Sequence, residues 1–190
     1  MKYLKKYNEN NYLSEDGKEF NCDSENLSKL PFIPETVEYL YCYYNDLKEL
    51  PKLPERLKEL YCWNNNLTKL PKLPKGLKEL YCNNNDLKEL PELPKGLKKI
   101  SCRDNNITEL PRLPKSLERL YCSDNTLKEL PELPKMLEKL ICSYNYLNEL
   151  PRLPKGLEIF GCSNNNLPYI NLEGYWEWFY KENPDLGEAN

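Results

Sequence analysis

The sequence predicts an α/β-type solenoid, with one parallel β-sheet on a concave face, an extended polyproline-like convex side and a cap at each end. Three observations predict it. The eight cysteines, Cys22, Cys42, Cys62, Cys82, Cys102, Cys122, Cys142 and Cys162, stand at a constant interval of twenty residues. Prolines recur in the same frame, as at Pro71 and Pro74. Leu80 and Cys82 flank Tyr81, which is the period-two alternation of a short strand. Self-similarity at a fixed period of this length means one supersecondary unit per period, stacked on its neighbours.

Residues 1–16 are expected to form the N-terminal cap, with Tyr3, Leu4, Tyr7 and Leu13 covering the first coil. Eight units follow over residues 17–170. The six that start at Val37, Leu57, Leu77, Leu97, Leu117 and Leu137 are complete. The unit near Gly17 is degenerate at its front, and the one at Leu157 loses its proline tail after Leu167. Within a unit, Leu80 and Cys82 point inward and Glu79, Tyr81 and Asn83 point outward. Leu77, Leu87, Leu90 and Leu93 close the core. Asn85 stands where the chain leaves the strand, and its amide can pair backbone groups that the turn leaves open. Asn45, Asn65, Asn105, Asn125, Asn145 and Asn165 repeat it as a ladder, which Glu25 is expected to break in the first unit. Pro71 and Pro74 fix φ and lack N–H groups, so the back of each coil should be extended. Over residues 171–190, Leu172, Trp176 and Phe179 recur at helical spacing. They predict an aromatic cap helix that ends near Pro184.

Each cysteine occupies the second inward strand site. A free cysteine there packs as a small hydrophobe. Side chains that point the same way from parallel neighbours do not face each other as a disulfide requires. No Cys-x-x-Cys spacing suggests zinc. No metal and no cofactor are expected.

The repeated pattern L-x-x-L-x-C-x-x-N-x-L-x-x-L-P-x-L-P resembles a leucine-rich repeat. It is similar to the repeats of bacterial type III secretion effectors, which read L-P-x-L-P-x-x-L-x-x-L-x-V-x-x-N-x-L. Cysteine replaces their valine throughout. Cysteine-bearing units also resemble leucine-rich repeat proteins of large DNA viruses and protists. The resemblance implies a recognition surface without chemistry of its own. Some of those effectors append a ubiquitin-ligase domain with a Cys-x-Asp nucleophile. This chain has that triplet at Cys102–Asp104 and Cys122–Asp124, both in repeat frame, so both thiols should face the core, where thiols are inert.

Composition narrows function further. The net charge is −3 with both signs mixed along the chain, and there is no histidine. The electrostatic footprint of a duplex-binding protein is missing. So are the commonest general base and metal ligand. The first residues contain no apolar run of signal-peptide length, and no stretch is long enough to span a bilayer. A cytoplasmic location, in a host cytosol for a delivered effector, is the expectation.

Information must then lie at the variable positions. Tyr39, Tyr41, Tyr43, Tyr44, Tyr61, Trp63 and Tyr81 converge on the N-terminal half of the concave face. Lys99, Arg103, Arg119 and Tyr121 continue it. Tyrosine, tryptophan and arginine dominate protein–protein hot spots. Neighbour-on-neighbour stacking for strand stability accounts equally for Tyr41, Tyr61 and Tyr81. It accounts poorly for Trp63 and for the adjacent pair Tyr43 and Tyr44. The expected function is a non-catalytic module that binds a partner protein, as an effector or adaptor. The alternative is a phage or viral inhibitor of a specific host defence enzyme. Sugar or single-strand binding on the aromatic rings is a third class, and the acids Glu38, Asp46, Glu59 and Glu79 argue against a polyanion there.

Overall fold

The computed structural model describes residues 12–183. Eight three-residue strands form a single parallel sheet in chain order. They are β1 (Glu19–Asn21), β2 (Tyr39–Tyr41), β3 (Glu59–Tyr61), β4 (Glu79–Tyr81), β5 (Lys99–Ser101), β6 (Arg119–Tyr121), β7 (Lys139–Ile141) and β8 (Ile159–Gly161). Register is set by the repeat, so each residue pairs with the one twenty positions on. Thus Tyr41 pairs with Tyr61 and Tyr61 with Tyr81.

The middle residue of each strand is the inward one. Leu40, Leu60, Leu80, Ile100, Leu120 and Leu140 have no exposed surface, and the residues on either side are mostly half-buried. Val37, Leu57 and Leu77 close the core from the strand's entry, and Leu47, Leu67 and Leu87 from its exit. Burying each leucine is worth about 1.5–3 kcal/mol, so one column of eight coils makes a continuous core without a helix behind it. The back of each coil contains neither helix nor strand. It ends in a β-turn closed by a bond such as Leu77 N–H to Pro74 O, 3.1 Å.

The asparagine ladder binds coil to coil. Asn85 Oδ1 accepts from Leu67 N of the preceding coil at 2.9 Å, and its Nδ2 is shared among Cys62 O, Cys82 O and Asn83 O. This geometry corrects the expected break at Glu25. Asn45 reaches back to accept from Leu27 N at 2.8 Å and to donate to Cys22 O at 2.8 Å. The first coil's exit turn is therefore held by the second coil's amide.

The ends differ from the stack. Leu13 bridges Phe20 antiparallel, and Asn21 N donates to Tyr12 O, so residues 12–14 cover the outer edge of β1. An uncovered edge strand is a template for unwanted pairing. The expected contributions of Tyr3, Leu4, Tyr7 and Pro184 lie outside the described residues. At the other end, helix α1 (Leu172–Glu182) starts at Asn171, whose side chain accepts from Gly174 N. Such an N-cap satisfies one of the helix's open donors. Phe179 is buried as the spacing predicts, and Leu172 and Trp176 are partly buried against the core. The deepest contact is Tyr175, which the spacing did not single out. Its ring is fully buried, and its hydroxyl accepts from Leu153 N at 3.1 Å.

Candidate functional site

The outward residues of the strands and of the positions just past them are organised into two parallel aromatic stacks. Tyr41, Tyr61 and Tyr81 form the first, with ring centroids 5.0 and 4.7 Å apart. Tyr43 and Trp63 form the second, stacked nearly parallel at 4.5 Å and 6°, with Tyr44 edge-on to Trp63 at 4.5 Å. The cause is register: parallel in-register strands place identical positions one strand spacing apart, about 4.7–4.9 Å, which is a ring-stacking distance. Tyr39 lies beside the stacks on β2, in register between Glu19 and Glu59. All these rings are half-buried except Tyr44, which is 51% exposed.

Acids tie the first stack down. Tyr61 Oη donates to Glu59 at 3.1 Å and lies 3.4 Å from Glu79, which also accepts from Tyr81. Burial first, and then Glu59, push the Tyr61 phenol far above its ordinary range. Burial and Glu79 push Tyr81 up to about 12. These phenols stay protonated and act as hydrogen-bond donors at any physiological pH.

The cationic half is less free than the sequence suggests. Lys99 is spent on Glu79 at 2.6 Å. Arg103 pairs with Asp104 at 3.2 Å and with Asp124 at 3.8 Å. Arg119 stands exposed at the start of β6, and Tyr121 lies under Lys139, whose Nζ is 5.2 Å from the ring centroid. Lys139, which the sequence already places further along this cationic zone, is thus a cation–π partner of Tyr121. Ser101 interrupts the tyrosine column and is buried between Tyr81 and Tyr121 in register.

A second feature was hidden in the column just outside the strands. Ser24, Tyr44, Asn64, Asn84, Asp104, Asp124, Tyr144 and Asn164 all have left-handed backbone, with φ between 50° and 59°. Asparagine and aspartate tolerate this region and other side chains resist it. Tyr44 and Tyr144 are therefore held against local preference, and Tyr144 is also exposed. The preponderance of Asn and Asp in that column was the available signal.

The thiols form a buried column. All eight are free and at most 1% exposed. Cys82 Sγ lies 3.5 Å from Ser101 O and Cys102 Sγ lies 3.6 Å from Tyr121 O. Burial pushes the Cys102 thiol up to about 12 and Cys122 well above its ordinary value. A nucleophilic cysteine needs the opposite shift and access, so the two Cys-x-Asp triplets are packing positions. No cluster of three His, Cys, Asp or Glu side chains able to hold a metal occurs among the described residues.

A family model of leucine-rich repeats, in two copies, matches residues 55–95. The leucine-rich repeat domain of a Shigella effector superposes with a TM-score of 0.74 at 34% identity, covering 87% of this chain and 76% of that one. The chain is a leucine-rich repeat protein. YopM from Yersinia pestis, a leucine-rich effector protein, superposes with a TM-score of 0.75 at 38% identity over 77% of this chain and 43% of its own. This leucine-rich repeat chain thus spans less than half the length of that effector. A functional domain of InlJ from Listeria monocytogenes, which includes a cysteine ladder, aligns at 29% identity with a TM-score of 0.68, over 80% of this chain and 36% of that one. Comparison with curated protein sequences yields no match. Leucine-rich repeat solenoids are scaffolds that generally bind other proteins, and the sheet face is where this one varies.

Proposed function

We propose that this leucine-rich repeat chain is a non-catalytic recognition module that binds a partner protein through its aromatic sheet face. It acts as an effector or adaptor in the cytosol of a host cell. One observation carries the reading. Two aromatic stacks stand side by side on adjoining columns, with Trp63 at the junction of Tyr43 and Tyr44. Stacking for strand stability needs one column; the second lies past the strand ends, where backbone bonds such as Tyr44 N to Trp63 O at 3.1 Å already join the coils, and Tyr44 adds an exposed ring to it. Rigid aromatic rings already locked by neighbours lose little entropy on docking, which favours their use as anchors. The effector-type relatives in Shigella and Yersinia support the biological half of the reading.

The test is capture from host lysate with the native chain and with a variant carrying Tyr41→Ala, Tyr61→Ala, Trp63→Ala and Tyr81→Ala. A protein retained by the first and lost by the second supports the reading and names the partner. Equal retention by both moves binding to the caps or the back of the coils and overturns it.

A further inference from the structure

Beside the aromatic face, on the rim where the chain leaves the strands, a shallow and largely open groove of about 390 Å³ lies over the first three coils. Its lining is Ser24, Asn26, Tyr44, Asn45, Asp46 and Asn64. We infer that this groove is a binding site for a neutral sugar residue, a pyranose held by stacking on Tyr44 and by hydrogen bonds to the surrounding amides, hydroxyl and carboxylate.

The lining chemistry selects the ligand class. Asn45 is committed to the ladder. Asn64 Oδ1 accepts from Asn84, which leaves its Nδ2 as a free donor. The Ser24 hydroxyl, the Asn26 amide and the Asp46 carboxylate carry no hydrogen bond among the described residues, and all three residues are exposed. The free set therefore contains groups that both donate and accept, one pure acceptor and one donor. Vicinal sugar hydroxyls, each a donor and an acceptor, match such a set. A phosphate or carboxylate does not, because no lysine or arginine lines the groove and Asp46 repels an anion. A divalent cation does not, because one carboxylate is too few hard ligands for it.

The ring completes the site. Tyr44 keeps 51% of its surface exposed while edge contacts to Tyr43 and Trp63 fix its orientation. Its apolar face suits the C–H face of a pyranose, and its hydroxyl supplies a polar tip. Ser24, Asn26, Tyr44 and Asn64 all sit in left-handed backbone, so the floor of the groove is set before any ligand arrives.

The fold supplies its own comparison. Five coils on, Asp124, Thr126, Tyr144, Asn145, Tyr146 and Asn164 hold the same repeat positions. There the Thr126 hydroxyl is spent on Ile107 O, and Tyr146 replaces the Asp46 carboxylate. That position keeps the Asn164 amide, but its hydroxyl is committed, its Asp124 carboxylate faces Arg103 at 3.8 Å and a second ring stands where Asp46 would accept, so it should not hold a sugar.

The experiment is NMR titration of the isotope-labelled full chain with four probes: methyl α-glucoside, methyl α-mannoside, methyl β-galactoside and N-acetylglucosamine. At least one should give saturable shifts at the amides of Ser24, Asn26, Tyr44 and Asn64, with a dissociation constant on the order of 1 mM. Tyr44→Asn should abolish them. Asparagine is what the next two coils carry in this left-handed position, at Asn64 and Asn84, so the variant keeps the fold and a melting temperature at or above the parent's. Tyr144→Asn should leave binding unchanged. Tyr61→Ala, outside the groove, should weaken partner capture and keep the sugar, so this inference and the protein-binding reading fail separately. No saturable shift with any probe at about 100 mM overturns the inference, as does undiminished binding by Tyr44→Asn.

Discussion

Asn85→Ala tests how the coils are held together, and its cost can be worked bond by bond. The amide makes four contacts. Three are donations to Cys62 O, Cys82 O and Asn83 O, and each of these carbonyls has a second donor: Asn65 Nδ2, Asn105 Nδ2 and Asn64 N respectively. They lose little. The fourth is the acceptance from Leu67 N at 2.9 Å, which has no substitute in a fully buried setting. One orphaned buried N–H costs about 1–3 kcal/mol, so the variant should lose about 2–3 kcal/mol once the small cavity is added. Asn165→Ala orphans Leu147 N in the same way, but Asn165 is only partly buried and water can replace it. Its cost should be about 1 kcal/mol or less. Urea unfolding of both variants gives the difference, and amide exchange at Leu67 gives its location. A loss below about 0.5 kcal/mol for Asn85→Ala, or unchanged exchange at Leu67, would refute this accounting.

Three further predictions follow from the column of thiols and from the C-terminal cap. All eight cysteines should resist thiol reagents at pH 8 in the folded chain and react together on unfolding, which a timed labelling assay reads directly. Their folded pKa values are raised, by burial first, to about 12 at Cys22 and Cys102 and about 11 at Cys162. The unfolded chain therefore releases these protons first. Stability should be intact below the ordinary thiol value near 9 and decline as pH rises from there towards 11–12, measured as melting temperature against pH. Tyr175→Phe strands Leu153 N and should lower the protection of the seventh coil at Leu153 in amide exchange by about 1 kcal/mol, with the first coils unchanged.

Much of this architecture was legible because a strict period leaves few alternatives. The cysteine interval fixes coil length, the Leu80–Cys82 alternation fixes the inward side, and Asn85 marks the exit turn. What escaped depends on how coils meet. The ladder amide serves the coil before its own, so Glu25 does not break it, and only contacts between coils reveal that. Tyr175 was missed because Leu172, Trp176 and Phe179 already account for a helical stripe. The cap's orientation then puts the intervening i+3 residue deepest. The aromatic cluster was legible as columns, since register follows from the repeat. Its cations were misleading for the same reason read too briefly. Glu79 and Lys99 occupy one column in adjacent coils, and their pairing takes Lys99 away from a partner. The left-handed strain at Tyr44 and Tyr144 is a backbone property that the Asn- and Asp-rich column only hints at.

The central claim is that the aromatic sheet face, and not the scaffold as such, does the recognising. Once a partner is captured, the direct measurement is its affinity for the native chain and for the Tyr41→Ala, Trp63→Ala double variant, with folding of both checked by circular dichroism and melting. The account predicts at least a tenfold loss of affinity, about 1.4 kcal/mol, at unchanged secondary structure. Equal affinity in a folded double variant would contradict it and return both stacks to a purely structural role.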